Sequence, residues 1–92
     1  MRIIKSNRNY KLNEAFPFIA EFEWNGLDEG LTFLQLCHIF EKRYGPSSSW
    51  TGPWGSTTYN NNWRREQNSK QRRKRIYYRE PKDMTWAMMQ LQ

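Results

Sequence analysis

Between Asn25-Gly26 and Gly45-Pro46 the chain admits one regular element, and that stretch constrains everything around it. Phe33, Leu36, Cys37, Phe40 and Tyr44 recur at spacings of three and four, with Leu34 at the margin, which predicts an amphipathic helix over 29–44. Asp28 is the expected N-cap, Lys42 and Arg43 place cations at the negative end of the helix dipole, and Gly45-Pro46 stops the element. Leu31 and Ile39 widen the apolar surface, so this helix should pack on a sheet as well as on the far end of the chain.

Strands are expected on both sides of it. Ile3 and Ile4 suit a short first strand, and the polar segment 5–11, with Asn7 and Asn9, suits a turn. From Phe16 the chain alternates: Phe18, Ala20, Phe22 and Trp24 share one face of a strand, while Ile19, Glu21 and Glu23 share the other. Residues 45–57 form a Gly/Pro/Ser loop that carries Trp50 and Trp54. Residues 58–80 read as a hairpin whose chain turns at Gln67 to Lys70. On its return strand Arg72, Lys74, Ile76 and Tyr78 face one way and Arg73, Arg75, Tyr77 and Arg79 the other, so cations occupy both faces near the turn and the tip should project into water. After Glu80-Pro81, Met84, Ala87, Met88 and Leu91 recur at helical spacing, with a strand over 86–91 as the competing assignment. The expected fold class is α+β: one domain over 1–92, with a small antiparallel sheet on one main helix, a basic hairpin and a short C-terminal helix.

Size and charge narrow the functional classes. A chain of 92 residues buries only about 60–65% of its unfolded surface, so a second core is excluded. Mean hydropathy is low at -1.05, but five each of Phe, Trp and Tyr supply the apolar area for a fold. The net charge of +6 is uneven: residues 1–46 carry six basic and six acidic side chains, residues 47–92 nine and three. A neutral half joined to a cationic half suggests one face for folding and another for a polyanion. One cysteine, no apolar run of membrane-spanning length and no leader pattern fit a soluble, cytoplasmic chain without membrane contact.

The strongest chemical signal lies at Arg64, Arg65, Lys70, Arg72, Arg73, Lys74 and Arg75, with Arg79 beyond them and Glu66 the only acid in the run. Arginine forks and lysine charges at that density fit phosphates, with Asn62, Gln67, Asn68 and Gln71 available for sugars or base edges. The same cations would also suit an acidic protein surface or a solvated hairpin. Of Tyr59, Trp63, Tyr77 and Tyr78, at least two should be buried, and Tyr77 or Trp63, each beside several cations, is the ring expected to stay exposed for stacking. Trp50 and Trp54 either cover the core edge or anchor a partner. The tetrad Arg72 to Arg75 also matches a nuclear-import signal, though a strand would present it poorly.

Catalytic readings have less to rest on. Cys37 and His38 are neighbours on a helix and point about 100° apart, which separates a nucleophile from its base. Cys37 reads most simply as a core thiol, and with one Cys and one His a zinc site lacks ligands. Glu21 and Glu23 share a strand face near Asp28 and Glu29, a weak match to a magnesium nuclease; together with Glu14 they make a better match to an acidic pole opposite the hairpin. Gly52-Pro53-Trp54-Gly55 lacks the spacing and lysine of a phosphate loop. No cofactor is expected, and self-association through opposite poles is one consequence of such polarity.

The dense aromatics, small size and mixture of a hairpin with short helices resemble small phage-encoded accessory proteins. That resemblance implies a role in inhibiting or redirecting a host nucleic-acid machine. Two functions follow as expectations: non-catalytic nucleic-acid binding through the hairpin, or an inhibitor or adaptor docked on an acidic groove of a nucleic-acid-processing enzyme or defence complex.

Overall fold

A computed structural model describes residues 1–5, 16–50, 57–58, 60 and 62–91. Four strands form one antiparallel sheet in the order β1-β2-β6-β5: β1 (Arg2–Lys5), β2 (Phe18–Phe22), β5 (Trp63–Asn68) and β6 (Arg73–Tyr78). A separate two-residue pair joins β3 (Ser49–Trp50) to β4 (Thr57–Thr58). Among the described residues two helices, α1 (Leu27–Tyr44) and α2 (Pro81–Gln90), accompany the sheet in an α+β fold.

Period-two alternation gives the sheet two unlike faces. Ala20 and Phe22 of β2, Ile76 and Tyr78 of β6 and Trp63 of β5 point at the helices, where they meet Phe33, Leu36, Cys37 and Phe40 of α1 and Met84 and Ala87 of α2. Trp63 is 0% exposed; its ring lies 5.6 Å from Phe40, and its indole N–H donates to the Gly45 carbonyl at 2.9 Å. Phe16, Ile19 and Tyr77 form a smaller cluster on the opposite face, with Ile4 against it.

Helix α1 begins earlier than the Asp28 cap would place it. Gly26 stands at the N-cap with no side-chain cap, its carbonyl accepting from the Gly30 amide at 2.8 Å, so Asp28 falls in the first turn. Glu29 does the joining there: its carboxylate accepts from the Glu23 amide at 2.6 Å and pairs with the Met1 amine. At the other end Gly45 has φ 87°, a backbone that favours glycine, and its amide donates to the Glu41 carbonyl. The Tyr44 hydroxyl donates to Asp83 at 2.6 Å and Arg43 stacks on Trp86 at 4.1 Å, which fastens α1 to α2. The C-terminal segment is helical, as its methionine spacing predicts, with Pro81 at the first turn where its missing N–H costs nothing.

The hairpin differs from the expectation in two ways. Its turn is 69–72 rather than 67–70, because the Asn68 side-chain oxygen accepts from the Lys70 and Gln71 amides and keeps Gln67 and Asn68 in the strand. It also projects less. β6 is an interior strand, paired to β5 along its length and to β2 from Lys74 to Tyr78, so only the Asn68–Arg73 pair and the turn extend past the sheet. The expected turn over 5–11 falls mainly on residues outside those described, and the loop 45–57 is described only in part.

Candidate functional site

The run of cations is divided by strand alternation and register. Lys74 points to the helix side, where its ammonium donates to the Trp24 carbonyl at 3.3 Å and sits 5.1 Å from the Trp24 ring. Arg75 points to the other face and forms a fork on Glu21, with Nε at 2.8 Å and Nη2 at 2.6 Å from one carboxylate oxygen. Glu21 takes a second arginine, Arg2, at 2.6 Å on its other oxygen. The registers Arg2↔Glu21, Glu21↔Arg75 and Glu66↔Arg75 therefore lay a ladder of alternating charge across all four strands. Of the acids expected as a separate pole, Glu21 is instead interleaved with the basic strand.

This ladder perturbs its members. Burial alone would push the Glu21 carboxyl up, but hydrogen bonds from Arg75 and Arg2, with their charges, outweigh it and hold the group below its ordinary value. Burial also raises the Tyr77 phenol. The Arg75 side chain opposes that shift, while the Glu66 carboxylate, which accepts from the Tyr77 hydroxyl at 3.0 Å, adds to it.

Arg64 and Arg65 are engaged differently. The Arg64 guanidinium lies 5.3 Å from the Tyr77 ring, with Nη1 buried and lacking a hydrogen-bond partner among the described residues. Arg65, on the opposite face, lies 5.7 Å from the Phe33 ring, and its amide donates to Ser47 Oγ. Arg79 is exposed at the far end of β6, next to Glu80, away from the tip. What remains is a cluster of three at the tip: Lys70 and Arg72 exposed and Arg73 half-buried, none in an ion pair among the described residues. Arg72 has φ 51°, the one non-glycine residue with positive φ among those described.

The rings expected to be open for stacking are not. Trp63 is 0% exposed and Tyr77 6%, because the core needs the first and the smaller cluster the second, so neither offers a free face to a base. Trp54 and the side chain of Trp50 lie outside the described residues. Leu31 and Leu34 also depart from expectation: they stand 61% and 52% exposed, with Leu27 at 87%, forming an apolar stripe on the flank of α1. Helical spacing alone did not distinguish them from Phe33, Leu36, Cys37 and Phe40, which take the sheet side.

Cys37 is a core thiol whose pKa burial pushes up to about 12. Relative to an ordinary thiol at 9.0, the thiolate fraction falls about a thousandfold, so 5,5′-dithiobis(2-nitrobenzoate) at pH 8 should label the native protein that much more slowly than the unfolded chain. Labelling at the free-thiol rate would show that Cys37 is open. His38, next to it, is exposed. No helix among the described residues is long and apolar enough to cross a membrane. No protein-family model, curated protein or solved structure matches this chain.

Proposed function

We propose that this is a non-catalytic nucleic-acid-binding accessory protein that grips the phosphate backbone with the tip of the β5–β6 hairpin, through Lys70, Arg72 and Arg73. The observation that carries this reading is the conformation of Arg72. Glycine or asparagine fits a φ of 51° with little strain, whereas arginine there costs about 1 kcal/mol, so a charge is held at the tip against local preference. Lys70 in the same turn and Arg73 at the start of β6 support the same reading.

The contact is smaller than the run of seven suggests. Lys74 and Arg75 serve the fold, Arg64 and Arg65 rest on rings, and about three phosphates remain for neutralisation. The logarithm of the duplex-binding constant should then fall with the logarithm of salt at a slope of about -3. Fluorescence anisotropy on duplex and single-stranded DNA and RNA over a salt series measures it. Replacing Lys70, Arg72 and Arg73 together by Ser should abolish binding and leave the circular dichroism spectrum intact. Negligible binding of the unaltered protein at about 50 mM salt would reject the nucleic-acid reading and leave an acidic protein surface as the partner of the tip.

Arg72→Gly separates strain from charge. It should raise stability by about 1 kcal/mol in urea titration while reducing affinity for nucleic acid. Unchanged affinity would show that Arg72 makes no phosphate contact.

A further inference from the structure

Beside the tip, on the helix side of the sheet, lies a groove of about 260 Å³ between the first half of α1 and the ends of β5 and β6. Its walls include Trp24, Leu27, Leu31, Phe33 and Leu34, and Lys74 stands in it. Leu27, Leu31 and Leu34 follow each other at i, i+4 and i+7, so the apolar wall continues along about 10 Å of helix at 1.5 Å per residue. Exposed leucines in such a row, beside a half-buried tryptophan, mark a surface made for contact.

Lys74 defines what fits. Its ammonium has three donors, of which one is given to the Trp24 carbonyl, and among the described residues no carboxylate pairs with it. Gly30 makes room for it: a Cβ at that position would stand 3.3 Å from Lys74 Nζ, so a residue that weakens a helix interior is used where the ammonium meets α1. Arg65, over the Phe33 ring, adds a second cation near the groove. Glu23 approaches the Gly26 end, which leaves the Lys74 end as the electropositive one.

We propose that this groove docks an amphipathic helix of a partner protein, with an apolar ridge on Leu27, Leu31 and Leu34 and a carboxylate on Lys74. The row of leucines has the length and spacing of a helix ridge rather than the compact shape of a small-molecule site. A second copy of the chain is disfavoured by charge, since packing this stripe on itself brings together two chains of net charge +6, each with a lysine in the contact. Nucleic acid is a poor occupant because the exposed wall is dominated by three leucines and a single ammonium stands in it. Docking here leaves the hairpin tip free, so the two surfaces fit an adaptor that holds a protein and a polyanion at once.

A displayed library of random amphipathic helices about 16 residues long, selected on the intact protein and counter-selected on the variant Leu31→Asp/Leu34→Asp, tests this. The expected result is a set of clones that bind the wild type, lose at least about tenfold on the double variant, and are enriched in acidic residues beside their apolar ridge. Both leucines are exposed, so the variant should retain the native circular dichroism spectrum; Lys74→Met provides a second variant that keeps the apolar wall. Clones should weaken about tenfold on Lys74→Met and recover on Lys74→Arg. Lys70, Arg72 and Arg73 replaced by Ser should leave clone binding unchanged. A selection that yields no discriminating clones, clones without acidic enrichment, or clones indifferent to Lys74→Met overturns the proposal. So does a dimer in sedimentation equilibrium that dissociates in the double variant, which would assign the stripe to a second copy.

Discussion

Trp63→Ala should remove roughly half of the protein's folding stability. The side chain is fully buried between Phe40 and the sheet, and it is the largest of the fully buried ones among the described residues. Its removal deletes the ring and leaves a cavity, a loss of about 4 kcal/mol for an aromatic truncated to Ala. A domain of this size has only about 5–10 kcal/mol in total. The substitution also removes the indole donor from the Gly45 carbonyl, at the point where α1 ends and the chain turns toward the hairpin. Urea titration followed by far-ultraviolet circular dichroism should show the midpoint reduced by about 40–80%. Trp63→Phe, which keeps most of the volume but not the donor, should cost about 1–2 kcal/mol. A Trp63→Ala unfolding free energy within about 1 kcal/mol of wild type would place the ring outside the core.

Glu21→Gln should cost about 2 kcal/mol at pH 7, because it weakens two charge-assisted contacts and leaves Arg75 without its counter-charge. Its pH dependence identifies the carboxylate. The folded group titrates below its ordinary value of 4.5, so on acidification the unfolded chain takes up the proton first. The contribution is complete above about pH 5 and disappears as pH falls through the folded pKa. Wild type and Glu21→Gln should therefore differ in stability at neutral pH and converge as pH falls through the lowered pKa of folded Glu21. A difference that stays constant over that range would mean that the substitution acts through packing rather than charge.

The helices and the strand faces were legible because they depend on neighbours in sequence. Phe33, Leu36, Cys37 and Phe40 recur at helical spacing, and the alternation in 18–22 and 73–78 assigns Ala20 and Ile76 to one face and Glu21 and Arg75 to the other. Strand order was not legible. That β6 lies between β5 and β2 depends on pairings with no local signature, and the expected fate of its cations followed from letting only the base of the hairpin join the sheet. Once Glu21 stands opposite Arg75, half of the tetrad has structural work and only Arg72 and Arg73 stay with the tip. Trp63 and Tyr77 were misread for the same reason: neighbouring cations in sequence suggested solvent, while alternation turned each ring into a packed face. The leucine stripe was missed because α1 carries more apolar residues than the sheet can cover, and helical period does not say which remain outside.

The interior position of β6 also orders the assembly of the sheet. Closing β5 on β6 brings together residues across a four-residue turn, whereas seating Glu21 on Arg75 joins positions 54 apart. Loop-closure entropy makes the second event more costly by about 2 kcal/mol. The hairpin is thus the cheaper nucleus, but on its own it is a strip of like charges that water and salt must screen. β2 arrives later, bringing both the apolar face that finishes the core and the carboxylate that pairs with Arg75. One short strand therefore delivers cohesion and charge balance in a single docking step, and that step will be sensitive to ionic strength.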